Sequence, residues 1–531
     1  MAPIGAVDGD VAIAGTASGS GPTMGQRQRA PSNQTGPVMG DAQLATAPFE
    51  RSQMGMTAGP MIATAAVPEV SMSVARDHGV ADVLALASNI QPMGRQSSGG
   101  LPVHLTAIEG PGGLGAEPSI DVGVNTRQAR RDSTNIQPKG PRFSRSDFGG
   151  VPSLSTNAVI AADPFRGRSA RINDPGASNP AGGFGPQTEE AIERGLAFLA
   201  RQQLTDGSWS LQSLDRNVAL VSDTAATGLA LLAFQGAGYN HREFKYADVV
   251  DAAIRFLVEN QGPNGDLFVP LDDRSNASVW LYSHGIAAIA MCEAYGMTQD
   301  PELREPAQKA IDFIVASQHK ERGGWRYSPG AESDTSVSGW MMMALKSGRL
   351  AGLKVPDKTF ERLDTFLSMA QGQGGESHMF RYNPHAPDTT EQRHGRKTSK
   401  TMTSVGLLMR LYAGWSRDHP EMMKGADFLR DNLPEIGTTR DPKRDTYYWY
   451  YATQVMFHVG GDHWRDWNDR LHSLLIDSQE ENGPMAGSWD PRRPIPDTWA
   501  PHAGRLYVTT LNLLSLEVTY RHLPLYNDTA R

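Results

Sequence analysis

From residue 186 onward the chain alternates between two kinds of helical stretch. In the first kind the apolar residues fall on one stripe. Ile192, Leu196 and Leu199 stand at i, i+4 and i+7, as do Val250, Ile254 and Leu257, and Ala307, Ile311 and Ile314. That spacing predicts amphipathic helices. The second kind is apolar on most faces: Thr224 to Phe234, Leu281 to Tyr295, Val337 to Leu345, Met402 to Ala413, Thr446 to Phe457 and Leu506 to Tyr520. Helices of that composition have to be buried among other elements. The alternation predicts six pairs, each an outer amphipathic helix followed by a buried inner one.

A short phrase recurs at the end of the outer stretches. Gln203 precedes Gly207-Ser208-Trp209, Gln318 precedes Gly323-Gly324-Trp325, and Gln479 precedes Gly487-Ser488-Trp489. A weaker copy, Gln261 to Leu267, falls midway between the first two, with Leu267 where the Trp would be. Met379-Phe380-Arg381-Tyr382 echoes Trp325-Arg326-Tyr327, and Gly425 to Leu429 resembles Gly195 to Leu199 in a unit without the phrase. Repetition at one long period marks a repeat architecture. An open stack of such units would need polar end caps, whereas a ring packs its first unit on its last. The expectation is an all-α fold, an (α/α)6 toroid of six helical hairpins over residues 186–531.

Composition separates the rest of the 531 residues. Residues 1–185 are dense in Gly, Pro, Ser, Ala, Asn and Gln, show no sustained period, and are expected to be a long disordered N-terminal region. The formal net charge of −8 argues against a nucleic-acid partner. The single cysteine, Cys292, excludes an intramolecular disulfide and a cysteine-cluster metal site. Neither a signal peptide nor a transmembrane stretch is evident, so cytoplasmic is the default expectation. The sequence leaves the oligomeric state open.

The Gln and Gly-x-Trp phrases, set in this helix-pair pattern, resemble the squalene-hopene cyclase and protein prenyltransferase β-subunit group of α/α toroids. The resemblance implies that the phrase tightens the outer helices, the Trp ring stacking on neighbouring chain and the Gln amide serving orphan groups at a helix end. It also implies an isoprenoid or other apolar ligand in the ring. Two departures stand out. Over the Asp-rich cluster with which hopene cyclases protonate squalene, this chain reads Leu220-Val221-Ser222-Asp223-Thr224-Ala225, with Ser222 in the place of the proton donor. Over the zinc segment of the prenyltransferases it reads Arg444-Asp445-Thr446-Tyr447-Tyr448, with Tyr448 in the place of a histidine and no cysteine nearby. Catalytic zinc needs three protein ligands. The expectation is therefore no metal and no cofactor.

Candidate chemistry gathers where the inner helices begin, since parallel inner helices bring their positive ends to one mouth. Asp223, Asp334 and Asp445 stand at such starts, 111 residues apart each time. Each is either a helix N-cap or a general acid or cation-stabilising carboxylate. A lone ionised Asp at a helix N-terminus should be a stronger acid than usual. Trp280, Tyr282, His284, Trp340, Tyr447, Tyr448, Trp449 and Tyr507 lie at or near the same starts and are the candidates for lining a ligand cavity. His284 is otherwise a hydrogen-bonded structural histidine, and Asp272-Asp273 a solvated turn. Two readings stay open: an isoprenoid enzyme of cyclase or prenyl-transfer type, or a non-catalytic toroid that binds a lipid or polymer or serves as an interaction scaffold. A polysaccharide-lyase-like toroid would need acids and bases along a cleft.

Overall fold

The computed structural model describes residues 165, 168, 172, 185–390 and 392–522. The expectation of disorder over 1–185 thus falls almost wholly outside the described residues. Within them the chain folds as six helical hairpins. The outer helices are α1 (Pro186–Gln202), α3 (Ala247–Glu259), α5 (Pro301–Ser317), α7 (Asp357–Ala370), α9 (Pro420–Arg430) and α11 (Gly461–Ser478). The inner helices are α2 (Asp223–Gly236), α4 (Asp273–Thr298), α6 (Thr335–Leu350), α8 (Lys400–Tyr412), α10 (Thr446–Val459) and α12 (Ala500–Leu516), and a short α13 (Val518–Arg521) follows. Each inner helix packs on the next, and α12 returns to α2, so the ring closes. The fold is an all-α (α/α)6 toroid. A two-residue pairing of β1 (Phe380–Arg381) with β2 (Thr398–Ser399) decorates one loop.

The repeated phrase builds the seams of this ring, in a division of labour that differs from the expected one. The Trp indole N–H, not the Gln, serves the orphan carbonyls at the end of its own outer helix. Trp209 Nε1 donates to Leu199 O at 2.8 Å, Trp325 Nε1 to Ile314 O at 2.9 Å, and Trp489 Nε1 to Leu475 O at 2.8 Å. The Gln amide instead spans the seam. Gln318 Nε2 donates to Gly323 O in its own loop (2.7 Å) and to Thr359 O on α7 (2.9 Å). Gln203 reaches Val249 O on α3, Gln261 reaches Pro306 O on α5, and Gln479 reaches Ala191 O on α1. That last bond ties the sixth unit to the first.

The Gly of the phrase is required twice over. Gly207, Gly265, Gly323 and Gly487 all have positive φ, and a Cβ on any of them would strike a backbone carbonyl of the next outer helix. A third bond fixes loop to inner helix. The backbone N of Trp209, Trp325, Phe380 and Trp489 donates to a hydroxyl of Thr227, Ser338, Thr403 and Thr509 respectively. In the second unit the acceptor is His284.

α4 begins eight residues before the apolar stretch read from sequence. Asp272 accepts from Ser275 N at 3.0 Å and caps it, and in the first turns Asp273, Arg274 and Ala277 are exposed while Ser275 and Val279 are buried. The Asp272-Asp273 pair is therefore a helix start.

Candidate functional site

The starts of the inner helices meet at one mouth, and side-chain caps organise them. Ser222, Asp272, Asp334, Ser399 and Asp445 each accept a backbone N–H three residues on. Asp223 does not share this role. It is the first residue of α2, one past the cap Ser222, and its half-buried carboxyl has one buried oxygen without a hydrogen bond. The equal spacing of the three acids thus mixes two caps with a residue beside a cap. Burial raises the Asp223 pKa against an opposing hydrogen bond from Ser210, with Asp206 adding to the rise.

Asp334 is fully buried. Its Oδ1 accepts from Val337 N at 2.8 Å and its Oδ2 from the Tyr382 hydroxyl at 3.0 Å. Arg326 Nε stands 3.8 Å from Oδ2 while the same guanidinium pairs with Glu332. Burial outweighs these favourable contacts and pushes the carboxyl up to about 7. This reverses the sequence expectation of a stronger acid. The helix N-terminus is present, but removal of the carboxylate from water costs more than the helix end returns.

Asp445 is also buried, with a fuller set of partners. Tyr448 N and Trp499 Nε1 donate to Oδ1 at 2.9 and 3.1 Å, and Thr401 Oγ1 donates to Oδ2 at 3.1 Å. Beside it lies Asp497, which the sequence reading missed. Asp497 accepts from Thr446 N (3.0 Å) and Thr446 Oγ1 (2.6 Å), and burial raises its pKa against the pull of Arg444. It comes from the loop before α12, outside any inner-helix start, so no helical period pointed to it.

The aromatic candidates divide. Tyr282 donates to Ser336 Oγ at 2.8 Å, and Ser336 Oγ lies 2.7 Å from the Tyr447 hydroxyl. Trp340 stacks on Tyr450 at 5.6 Å and meets Tyr447 and Tyr451 at 6.4 and 5.7 Å. These contacts join α6 to α10, which are not neighbours in the ring, so the side chains meet across its centre. Tyr507 stands by Trp499 at 6.4 Å. Tyr282, Trp340 and Tyr447 thus come together, with Tyr450, Tyr451 and Met343 completing the cluster.

The other candidates turn elsewhere. Trp280 donates to Asp266 Oδ2 and stacks on Phe268 in the second seam. His284 accepts from Leu267 N at 3.1 Å, and its Nε2 meets Ala310 O at 3.1 Å, so both ring nitrogens serve the scaffold. Tyr448 points outward, donating to Asn432 O and packing edge-on against Trp467 of α11. Trp449 sits 111 residues beyond Ser338, at the helix position that elsewhere faces the seam. Periodicity placed these residues near the mouth but could not say which side of the helix they occupied.

Among the described residues no group of three or more His, Cys, Asp or Glu could hold a metal ion, and no helix is long and apolar enough to cross a membrane. A cavity of about 310 Å³ lies away from the ring centre. Its lining residues Glu435 to Thr438, Asp441 and Lys443 belong to the fifth unit, which lacks the phrase, and Arg470 comes from α11 of the sixth.

No family model matches the sequence, and no curated protein matches it. Several solved structures are similar in shape. The GH76A alpha-1,6-mannanase from Salegentibacter sp. HEL1_6 has a TM-score of 0.44 and 10% identity, over 62% of this chain and 98% of that one. The type II terpene cyclase MstE from Scytonema has a TM-score of 0.42 and 14% identity, over 64% and 99%. An alpha-amylase from Clostridium perfringens has a TM-score of 0.42 and 13% identity, over 62% and 97%. At such low similarity none of them bears on what this chain does.

Proposed function

We propose that the toroid is a non-catalytic scaffold, binding a lipid, a polymer or another macromolecule, and not an enzyme that turns over an isoprenoid at the ring centre. One observation carries this reading: the contacts of Ser336 with Tyr447 and of Trp340 with Tyr450 span the centre from α6 to α10. A long apolar substrate would have to displace that packed cluster. The acids beside it are committed as well, since Asp334 and Asp445 spend an oxygen on capping their own helices. Such caps stabilise a helix by about 1 kcal/mol and account for the residue type without any reaction.

A second reading has its own support. A carboxyl held at about 7 beside Tyr382 and Arg326 could exchange a proton near neutral pH. Unlike an ordinary ionised carboxylate, it keeps its proton on a substantial fraction of molecules at neutral pH and so has one to give to an alkene. The test is incubation of the full chain with squalene and with geranylgeranyl diphosphate, products being analysed by mass spectrometry. The scaffold reading expects neither to be consumed. Turnover that the Asp334→Asn variant loses would overturn it in favour of the second reading.

A further inference from the structure

The far mouth of the ring, where the inner helices end, holds a site that the repeat pattern does not explain. Three described residues from before α1 are involved: Phe165, Arg168 and Ile172, spaced i, i+3 and i+7, the last two helical. Phe165 and Arg168 are almost wholly buried, at 4% and 3% exposure, although they belong to a stretch of low apolar content.

The ring is shaped to receive them. Arg168 Nη1 donates to Glu293 Oε2 of α4 at 2.6 Å, and its Nε and Nη2 donate to Arg521 O of α13 at 3.2 and 3.0 Å. Arg521 Nη2 donates to the other oxygen of Glu293 at 3.0 Å, and its Nη1 to the Tyr450 hydroxyl. Glu517, fully buried, supplies a second carboxylate whose charge acts on Arg168. Two buried cations therefore face two buried acids, the balance that lets charge stay in a low-dielectric interior. Two glycines provide the room. A Cβ on Gly296, within α4, would lie 2.6 Å from Phe165 Cζ. One on Gly238, at φ +97°, would lie 3.3 Å from Ile172 Cδ1 and strike the Arg168 carbonyl. A glycine inside a helix is unfavourable unless something needs the space.

We infer that this mouth is a binding site for a cationic amphipathic peptide helix with the pattern Phe-x-x-Arg-x-x-x-Ile, filled in cis by the chain's own segment around Arg168. Glu293 and the Arg521 carbonyl read the arginine, and the notches at Gly296 and Gly238 seat the two apolar anchors. The segment around Arg168 is thereby tethered to the ring at a second point besides the covalent junction with α1, and the tether can be exchanged for a peptide of the same pattern. This inference goes beyond the reading of the opposite mouth and holds whether or not that mouth is catalytic.

The experiment uses the full chain in three forms: natural, Arg168→Ala and Gly296→Ala. Arg168→Ala leaves Glu293 paired with Arg521, and Gly296→Ala improves helix propensity while filling the Phe165 notch. Thermal unfolding checks that both variants fold. A fluorescein-labelled peptide of residues 163–174 should bind the Arg168→Ala chain at least about tenfold more tightly than the natural chain, whose own segment competes. The same peptide carrying Ala in place of Arg168 should lose that binding. Trypsin should cleave after Arg168 at least about tenfold faster in the Gly296→Ala chain than in the natural one. Equal peptide binding to the natural and Arg168→Ala chains, or equal cleavage with and without the Gly296 notch, overturns the proposal.

Discussion

The seams between outer helices and the centre of the ring are held by opposite rules. Where the phrase is present the seams solve the same problem, so the same residues recur. A Gln spans to the next helix, a Gly lets the loop lie against its carbonyls, and a Trp closes the preceding helix end. The centre is solved once. Trp340, Met343, Tyr447, Tyr450 and Tyr451 meet there from two helices that are not adjacent, and no rotation of the ring maps them onto an equivalent set. Scaffold is written periodically and the centre is not. A residue that recurs around the ring is for that reason a weak candidate for chemistry.

The strongest way to break this comparison is to remove a seam Trp. Trp325 is 1% exposed and bonds through both its nitrogens, to Ile314 O and to Ser338 Oγ. Trp325→Ala should cost about 3–5 kcal/mol in denaturant unfolding, the range for truncating a buried aromatic. A loss below about 1 kcal/mol would mean that the seam does not hold the ring together. Gln318→Ala is the next step down. It leaves two carbonyls, Gly323 O and Thr359 O, without their amide donor, which should cost about 1–3 kcal/mol. If Gln318→Ala unfolds at the same denaturant concentration as the natural chain, the amide is not what spans the seam.

The two rules also decide what was legible in the sequence. The helix pairs, their number and the closed ring followed from the apolar spacing and the recurring phrase, because those signals repeat and errors in one copy are corrected by the others. What the Gln and the Trp each do was not legible. Both are polar-tipped residues near a helix end, and only the observed bonds assign the orphan carbonyl to the Trp and the crossing to the Gln. At the mouth, the spacing of Asp223, Asp334 and Asp445 suggested three equivalents, but Ser222 is the true counterpart of the other two caps. Sequence distance cannot resolve a displacement of one residue. Asp497, the Arg168 anchor and the sides faced by Trp280 and Tyr448 depend on long-range contacts that no local period encodes.

A third test addresses the centre's side of the comparison, through Asp334, an acid whose protonation the fold controls. Burial raises Asp334 from an ordinary value of 3.8 to about 7, so the folded chain binds its proton more tightly than the unfolded chain does. Stability from this group is then fully present below pH 4 and is lost as pH rises through 7. The slope contributed by one proton is about 1.4 kcal/mol per pH unit at most. Asp334→Asn keeps an oxygen for the Val337 N–H but has nothing to titrate. Subtracting the variant's unfolding free energy from that of the natural chain, from pH 4 to 8, removes the titrations the two share. The difference should fall with rising pH and level off above 7. A difference that instead rises with pH would show that Arg326 and the helix end dominate over burial, and that Asp334 is an ordinary ionised cap.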